Sequence, residues 1–345
     1  MLAVVRTLFS LSLKAEVRVL QFIAKRLLNV PLLLVLSTLF AFVIIQSGPG
    51  NVINNKTMSA SLGPRQVEQY IAEFGLDRPV MVQYVAWLGR AATGDLGRSL
   101  STSRPVTEVV GRPILNSLVL VLSSLAVIYL LSGWIGVHSA MHENGFVDRS
   151  LSVLSYLFLG FPSFFLAMLA VYLVLQLKFL TGFTVLPVGG MTSSNFESLS
   201  PIAQTLDIAW HAVAPVLCIA LIQVAVFSRL LRAQMIDFLS QDYIRTARAK
   251  GLTERSVVYR HALKNALVPF VAGFGALLPA LIGGAGLVEI VFNWPGITAT
   301  MLEAIDFKDF FVFIGLISFS TLLLIVGNVL SDLLLAVVDP RIRYA

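Results

Sequence analysis

Long uninterrupted apolar runs dominate the pattern of hydrophobic and polar positions. Six stretches contain no charged residue: Leu27–Asn55, Pro113–His142, Ser150–Leu177, Ile208–Ser228, Asn265–Val288 and Phe310–Ser331. A helix needs roughly 20 apolar residues to cross about 30 Å of hydrocarbon, and each stretch is long enough. The runs are continuous rather than alternating, which favours helices over barrel strands. The pattern therefore predicts an all-α integral membrane protein with six transmembrane helices.

Three other segments interrupt this apolar pattern. Residues 1–26 are predicted to form a basic, amphipathic cytoplasmic segment, with a disordered tail as the alternative for residues 1–14. Residues 46–112, between the first two spans, are predicted to form a small folded extracytoplasmic insert, because a loop of this length without structure is unusual. Its apolar patterns lie at Pro64–Phe74 and Pro79–Leu88. The charge-free stretch Phe179–Phe196 is rich in Gly, Thr and Ser and is predicted to be a loop.

The composition excludes a soluble protein. Of the 345 residues, 57% are hydrophobic and only 13% are charged. Soluble domains carry roughly 45–50% apolar and about 25% charged residues. A soluble enzyme of this composition would expose far too much apolar surface. The single cysteine, Cys218, excludes an intrachain disulfide and is interpreted as a packing residue.

The distribution of Lys and Arg predicts the orientation. With a cytoplasmic N-terminus, sixteen basic residues fall in cytoplasmic segments, whereas the short external loops hold only Lys178 and Lys308. The remaining seven lie in residues 46–112, a segment too long to follow the positive-inside rule. Both termini are therefore predicted to be cytoplasmic. This asymmetry explains the net charge of +6, so we expect no nucleic-acid partner.

The most basic cytoplasmic loop is predicted at residues 229–264. It is expected to contain two short helices, Asp237–Lys250 and Thr253–Lys264, joined at Gly251, because glycine suits the left-handed conformation that ends many helices. The first helix is amphipathic and is expected to offer apolar side chains to the groove of a partner protein. These are Tyr243, Ile244 and Ala247. The alternative is a basic loop held near anionic lipid headgroups.

The spacing in this loop resembles that of permease subunits of ABC importers. Their pattern is Glu-Ala-Ala, three residues, Gly, nine residues and Ile-x-Leu-Pro. With Gly251 aligned, Arg245-Thr246-Ala247 and His261-Ala262-Leu263-Lys264 occupy the flanking positions, without the acidic residue and the final proline. The ending His-Ala-Leu-x-Asn at residues 261–265 is similar to the peptide and nickel branch of the family.

Further landmarks of that branch are spread over nearly the whole chain. They are Gly75–Pro79, Gly94–Ser99, Asp148-Arg149, Pro162–Phe164, Leu186–Gly190, Phe292–Gly296 and Asp339–Arg341. Two others are altered, since Pro49–Val52 lacks the usual Pro-Gly-Asp-Pro and Lys308–Phe311 lacks the usual Arg-Asp-Tyr-Pro. On this resemblance, residues 27–345 form one permease transmembrane domain in a bacterial cytoplasmic (inner) membrane.

The resemblance implies a role for the 237–264 loop in coupling to a separate ATPase. The implied coupling residues are Asp242, Tyr243, Ile244, Arg245, Thr246, Ala247, Arg248, Ala249, Lys250, Gly251 and His261. The implied partners are a second homologous permease subunit, two ATP-binding subunits or domains, an external solute-binding protein and membrane lipid. ATP and Mg are expected on the ATP-binding partners. The chain has no Gly-x-x-x-x-Gly-Lys-Ser/Thr sequence, no metal-site spacing and no catalytic constellation, so it is not expected to be an enzyme.

Two of the predicted spans carry candidates for the solute pathway. Pro162, in the middle of the third span, is expected to remove a helix hydrogen bond and allow a bend. The fifth span contributes Gly273, Gly275, Gly283, Gly284 and Gly286, which permit close packing or local opening. Packing against the partner permease alone is the alternative interpretation of these glycines. Because both permeases would line the channel, we expect solute specificity mainly outside this subunit.

The predicted function is that of a permease subunit forming half of the translocation pathway for di- and oligopeptides. The alternative within the family is nickel or another small solute. A secondary transporter is disfavoured, because the span centres lack the ionisable residues that such carriers place at mid-membrane. A membrane enzyme would need a cluster of polar groups at one membrane face, and the sequence shows none.

Overall fold

The structure, a computed structural model, describes residues 30–47, 68, 71–72, 75 and 77–338. Within these ranges it is helical, with one isolated bridge between Arg98 and Pro105 and no strand. The predicted segment 1–26 and most of the predicted helix Pro64–Phe74 lie outside the described residues. The described helices of eight or more residues are α1 (Val30–Ser47), α2 (Val80–Ala91), α3 (Val106–Met141), α4 (Phe146–Leu159), α5 (Ser163–Thr181), α6 (Pro201–Leu239), α7 (Asp242–Ala249), α8 (Leu263–Ala272), α9 (Phe274–Val291), α10 (Ile297–Asp306) and α11 (Phe310–Val338).

Five of the described helices, α1, α3, α5, α6 and α11, have the length and apolar composition of a membrane span. They confirm an all-helical membrane protein. The predicted fifth span coincides with α8 and α9, which are separated at Gly273. The count of six spans and the orientation stay predictions.

The third predicted span, Ser150–Leu177, is not a single helix. Helix α4 ends at Leu159 and α5 begins at Ser163. Pro162 is the residue that caps the start of α5, with φ −68° and ψ 150°. The expectation that Pro162 bends a helix from its middle is therefore wrong. A proline at a helix start removes no helix hydrogen bond, since the first amides have no intrahelical acceptor.

The chain divides into two compact units, which are described separately. In the first unit, described over residues 119–293 and 324–338, α6 is the central helix and packs against α4, α5, α8 and α9. Its buried positions include Ala220, Leu231 and Met235, each without exposed surface. Helix α6 ends two residues before α7, so its packing positions the segment that follows.

An ion pair joins α4 to α6 inside this unit. Arg232 donates from Nε to Asp148 Oδ1 at 2.6 Å and from Nη2 to Asp148 Oδ2 at 2.7 Å. The Asp148 side chain is only 3% exposed. The hydrogen bonds from Arg232 hold the pKa of Asp148 below its usual range. Sequence reasoning treated Asp148 only as a family landmark and missed its partner, which lies 84 residues further along the chain.

The second unit contains the described part of residues 30–118, together with residues 294–323. Aromatic rings fill its core: Phe42 lies 5.3 Å from Phe310 and 5.6 Å from Tyr84, between ring centroids. Helix α2 covers the predicted apolar pattern Pro79–Leu88 and buries Tyr84 and Trp87. Helix α2 therefore packs into the core of this unit, whereas the small folded extracytoplasmic insert over residues 46–112 stays a prediction.

A buried carboxylate organises the loop after α2 in this second unit. Asp309, 1% exposed, accepts hydrogen bonds from Ser99 Oγ at 2.6 Å and from the Ser101 amide at 3.1 Å. The Val312 amide donates to its other oxygen at 3.2 Å. These hydrogen bonds tie the loop after α2 to the start of α11.

We predict that Gly136 is required for the packing of α3 on α6. A Cβ atom at Gly136 would lie 2.8 Å from Leu231 Cβ and 2.9 Å from the Ser228 carbonyl oxygen, which is backbone and cannot move aside. Gly136→Val should therefore lower stability by about 1–3 kcal/mol, as overpacking does. The measurement is thermal unfolding of the purified protein in detergent. Gly133→Val is the matched control on the same helix, since a Cβ there meets no atom within 4 Å. Equal unfolding temperatures for the two variants would contradict the described packing.

Candidate coupling site

The predicted coupling residues form one short helix and its exit. Helix α7 begins at Asp242, five residues later than the predicted start at Asp237, which belongs to α6. Ser240 ends α6, and Gln241 has an extended backbone with φ −71° and ψ 151°. This extended residue turns the chain between the two helices, so α7 is a separate element.

One face of α7 packs inside the chain. Ile244 is 0% exposed and Ala247 is 6% exposed. The helix lies against the π-helical segment Val257–Ala262, whose Val257 and Val258 are also buried. The expectation that Ile244 and Ala247 are offered to a partner is therefore wrong, because both side chains anchor α7 to its own chain. Amphipathicity marked these residues as a contact face without indicating which protein they contact.

Gly251 ends α7 in the left-handed conformation that the sequence predicts, with φ +76°. The Leu252 amide donates to the Ala247 carbonyl at 3.4 Å, and the Gly251 amide donates to the Arg248 carbonyl at 3.0 Å. This pair of bonds is the Schellman arrangement, in which a glycine follows the last helical turn. It reverses the chain within a few residues, so the next helical turn packs beside α7.

An ion pair closes this reversal. Arg248 donates from Nε and Nη2 to the two carboxylate oxygens of Glu254, at 3.1 and 2.7 Å. The hydrogen bonds from Arg248 lower the pKa of Glu254. Both side chains are about half exposed, so the bidentate geometry matters more for orientation than for stability. Glu254 was not among the predicted coupling residues. The opposite charges of Arg248 and Glu254, on the two sides of Gly251, were the sequence signal that could have indicated this ion pair.

Asn265 connects α7 to the start of α8. Its side-chain nitrogen donates to the Tyr243 hydroxyl at 3.1 Å and to the His261 carbonyl at 3.3 Å. His261 lies in the π-helical segment and is partly exposed. Single π turns within helices occur frequently at functional sites. Asn265, which was not among the predicted coupling residues, thus links Tyr243 to His261 by hydrogen bonds.

The remaining face of α7 is polar and open to a partner. The Asp242 and Arg245 side chains are 95% and 75% exposed and lie 3.3 Å apart. The other exposed coupling residues are Tyr243, Thr246, Arg248, Ala249, Lys250 and Gly251. We call the exposed residues of α7, together with Lys250, the docking face. The docking face can bind a protein through its charges and its shape. In the part of the chain that the structure describes, no group of three metal-ligating side chains is present.

The pathway candidates lie at three places in the first unit. Gly273 lies at the break between α8 and α9, where a Cβ would lie 2.8 Å from the Phe227 ring, so this glycine permits close packing within the chain. Gly275, Gly283, Gly284 and Gly286 lie within α9. Pro162 lies at the α4–α5 connection. Whether these residues line a solute pathway stays a prediction.

Comparison with known proteins identifies the family. Residues 129–344 match the family model described as binding-protein-dependent transport system inner membrane component. Residues 19–112 match the model of the corresponding N-terminal region. The chain belongs to this family of ABC transport permeases. It is therefore a multi-pass inner-membrane protein, and it assembles with other components of an ABC transport system.

Several relatives match over almost their whole length. The permease is 34% identical to the oligopeptide transport system permease protein AppB of Bacillus subtilis, over 93% of this chain and 98% of the relative. It is 35% identical to a putative peptide permease protein of Brucella suis, over 89% and 93%. It is 33% identical to the glutathione transport system permease protein GsiC of Pectobacterium atrosepticum, over 94% and 99%.

We predict that the exit of α7 depends on a residue that tolerates a left-handed backbone. Gly251→Val should destabilise this turn by about 1–2 kcal/mol, the cost of a left-handed conformation for a residue with a Cβ. Local opening should then make amide hydrogen exchange in residues 242–252 roughly 5–30-fold faster. Gly251→Asn is the control, because asparagine adopts this conformation more readily. If the valine and asparagine variants exchange at the same rate, the turn does not require this backbone conformation.

Proposed function

We propose that the permease forms half of a translocation pathway for di- and oligopeptides and is driven by ATP hydrolysis on partner subunits, which bind its docking face. The observation that carries the coupling role is the two-sided character of α7. Ile244 and Ala247 are buried in the chain, whereas Asp242 and Arg245 point outward and are exposed. A helix that is anchored on one face and free on the other is suited to transmit the motion of a partner.

The path of the chain supports the transmission of such motion. Helix α6 is the central helix of its unit and ends two residues before α7. At the C-terminal end of α7, the Arg248–Glu254 ion pair connects the helix to the segment that leads into α8. Near the start of α7, Tyr243 accepts a hydrogen bond from Asn265 of α8. A displacement of α7 is therefore passed to two helices of the same unit.

Peptides are the solute class that the named relatives support. The relatives described above carry the names oligopeptide, peptide and glutathione permease. These solutes share amide backbones and vary in their side chains, which suits a wide pathway of low selectivity. Nickel or another small solute is the alternative, and a secondary transporter is the more distant one.

The proposed assembly contains a second homologous permease, two ATP-binding subunits or domains and an external solute-binding protein. In this proposal ATP and Mg bind to the ATP-binding partners, since the chain lacks a phosphate-binding loop and is proposed not to be an enzyme. In the proposed orientation both termini and the loop around α7 are cytoplasmic. Solute specificity then resides mainly in the external binding protein.

A cross-linking experiment tests the docking face and the orientation together. Cys218 is buried and is replaced by alanine to give a cysteine-free background. Arg245→Cys should cross-link to an ATP-binding subunit of the assembled transporter through a short bismaleimide, because this position is exposed on the docking face. Ala247→Cys, on the buried face of α7, and Lys178→Cys, in a predicted external loop, are the controls and should not cross-link. Equal cross-linking from position 247, or cross-linking from position 178, would contradict the proposed arrangement.

Uptake by the reconstituted transporter tests the solute class. Proteoliposomes that contain both permeases and the ATP-binding subunits, supplied with the external binding protein, should accumulate a labelled tripeptide only when ATP is present. Radioactive nickel ions serve as the comparison. Accumulation of nickel without peptide would assign the permease to the alternative solute, and uptake driven by an ion gradient without ATP would assign it to secondary transport.

A further inference from the structure

An open groove in the first unit has no part in the docking face. Its volume is about 550 Å³, and it lies between α4 and α6. The residues that line it are Ser152, Tyr156 and Leu159 of α4 and Val226, Arg229, Leu230, Arg232 and Ala233 of α6. Two arginines line this open groove beside apolar side chains: Arg229 is exposed, and the Arg232 side chain is 26% exposed.

Only one of the two arginines has its charge neutralised within the described chain. Arg232 is held by both oxygens of Asp148, as described above. Arg229 donates from Nη2 to the Tyr156 hydroxyl at 3.1 Å, and its guanidinium carbon lies 4.2 Å from the centre of the Tyr156 ring. No carboxylate of the described residues lies within ion-pair distance of Arg229. The groove therefore carries a positive charge that an anionic ligand would neutralise.

The lining changes from polar to apolar along the two helices. Arg232 lies seven residues before the end of α6, about 10 Å at 1.5 Å per residue, whereas Val226 lies about 20 Å from that end. On α4, Ser152 lies about 9 Å from the helix start at Phe146, and Leu159 lies about 20 Å from it. The lining residues furthest from the loop ends, Val226 and Leu159, are thus apolar, whereas both arginines and Ser152 lie nearer those ends, with Leu230 and Ala233 among them. This order matches a phospholipid, whose phosphate lies above its acyl chains.

We infer that this groove binds an anionic phospholipid of the cytoplasmic leaflet. The lipid phosphate accepts hydrogen bonds from Arg229, and an acyl chain lies along Leu159 and Val226. Basic pockets between transmembrane helices on the cytoplasmic side are known to bind such headgroups. A free phosphate ion would leave the apolar half of the groove unfilled. The assignment of the leaflet rests on the orientation given under the proposed function.

Lipid binding here would act on the segment that leads to the docking face. The groove is formed by α4 and α6, and α6 continues through two residues into α7. A phosphate bound to Arg229 neutralises the charge at this contact and braces α4 against α6. Anionic lipid should therefore support the stability of the permease as well as bind to it.

Native mass spectrometry of the intact transporter tests this inference. The complex is taken from vesicles of phosphatidylcholine that contain a graded fraction of phosphatidylglycerol, and bound lipid is measured on this subunit. The wild-type chain should retain phosphatidylglycerol in preference to phosphatidylcholine. Arg229→Gln should weaken retention about five- to tenfold, the effect of one cation at the membrane surface. Arg229→Lys should restore most of the binding.

Two further variants separate the groove from general surface charge. Arg149→Gln removes the same charge from an exposed position of α4 that does not line the groove, and it should leave retention unchanged. Val226→Trp keeps both arginines but fills the part of the groove proposed for the acyl chain, and it should abolish the retention of phosphatidylglycerol. If the Arg229→Gln chain fails to assemble, the Val226→Trp variant still tests the inference. Equal retention in Arg149→Gln and Arg229→Gln, or unchanged retention in Val226→Trp, would overturn the inference.

A final comparison identifies the ligand. Inorganic phosphate at millimolar concentration should not displace the bound phosphatidylglycerol, and displacement would overturn the lipid assignment in favour of a phosphate site. Equal retention of phosphatidylcholine and phosphatidylglycerol would overturn it as well. Because lipid retention requires neither ATP nor solute, a negative result with intact cross-linking at position 245 refutes only the lipid site. Loss of cross-linking with preserved lipid retention refutes only the proposed coupling.

Discussion

The bidentate ion pair between Asp148 and Arg232 is the interaction on which the arrangement around α6 depends. It joins two helices that are otherwise linked mainly by apolar contacts and by the Arg229–Tyr156 hydrogen bond, so its two short directional bonds help to fix how α4 lies on α6. Breaking a buried pair by removing one partner generally costs about 3–5 kcal/mol, because the remaining charge stays buried. The shape of the groove beside Arg229 depends on this contact, because Arg232 lines the groove.

The helical membrane class could be predicted because it depends on composition and run length, which are properties of the sequence itself. The same is true of Gly251, where the physical requirement is local: a left-handed backbone at the end of a helix. The predicted start of α7 was wrong by five residues, because Asp237 continues the apolar and polar alternation of α6 without interruption. Ser240 and Gln241 end α6 with backbone geometry that carries only a weak sequence signal.

Other features depend on tertiary structure and were beyond sequence reasoning. Ile244 and Ala247 have the spacing of a contact face, but which surface covers that face depends on the fold of residues 257–262. Pro162 lies within a charge-free run, so run length alone could not indicate that α4 and α5 are separate helices. The partners of Asp148, Glu254 and Asn265 were missed for a related reason, since long-range pairing leaves no periodic pattern.

The break at Gly273 has a consequence for the mechanics of the first unit. A helix that is interrupted in a membrane leaves carbonyl groups without amide partners, which is costly away from water. Here the Tyr129 hydroxyl donates to the Phe270 carbonyl at 3.4 Å, and Ser331 Oγ donates to the Ala272 carbonyl at 3.3 Å. These donors come from α3 and α11, so two neighbouring helices hold the end of α8 in place. Both carbonyls belong to the last turn of α8, so these bonds tie the end of α8 to its neighbours, and a movement of that end must exchange them for others.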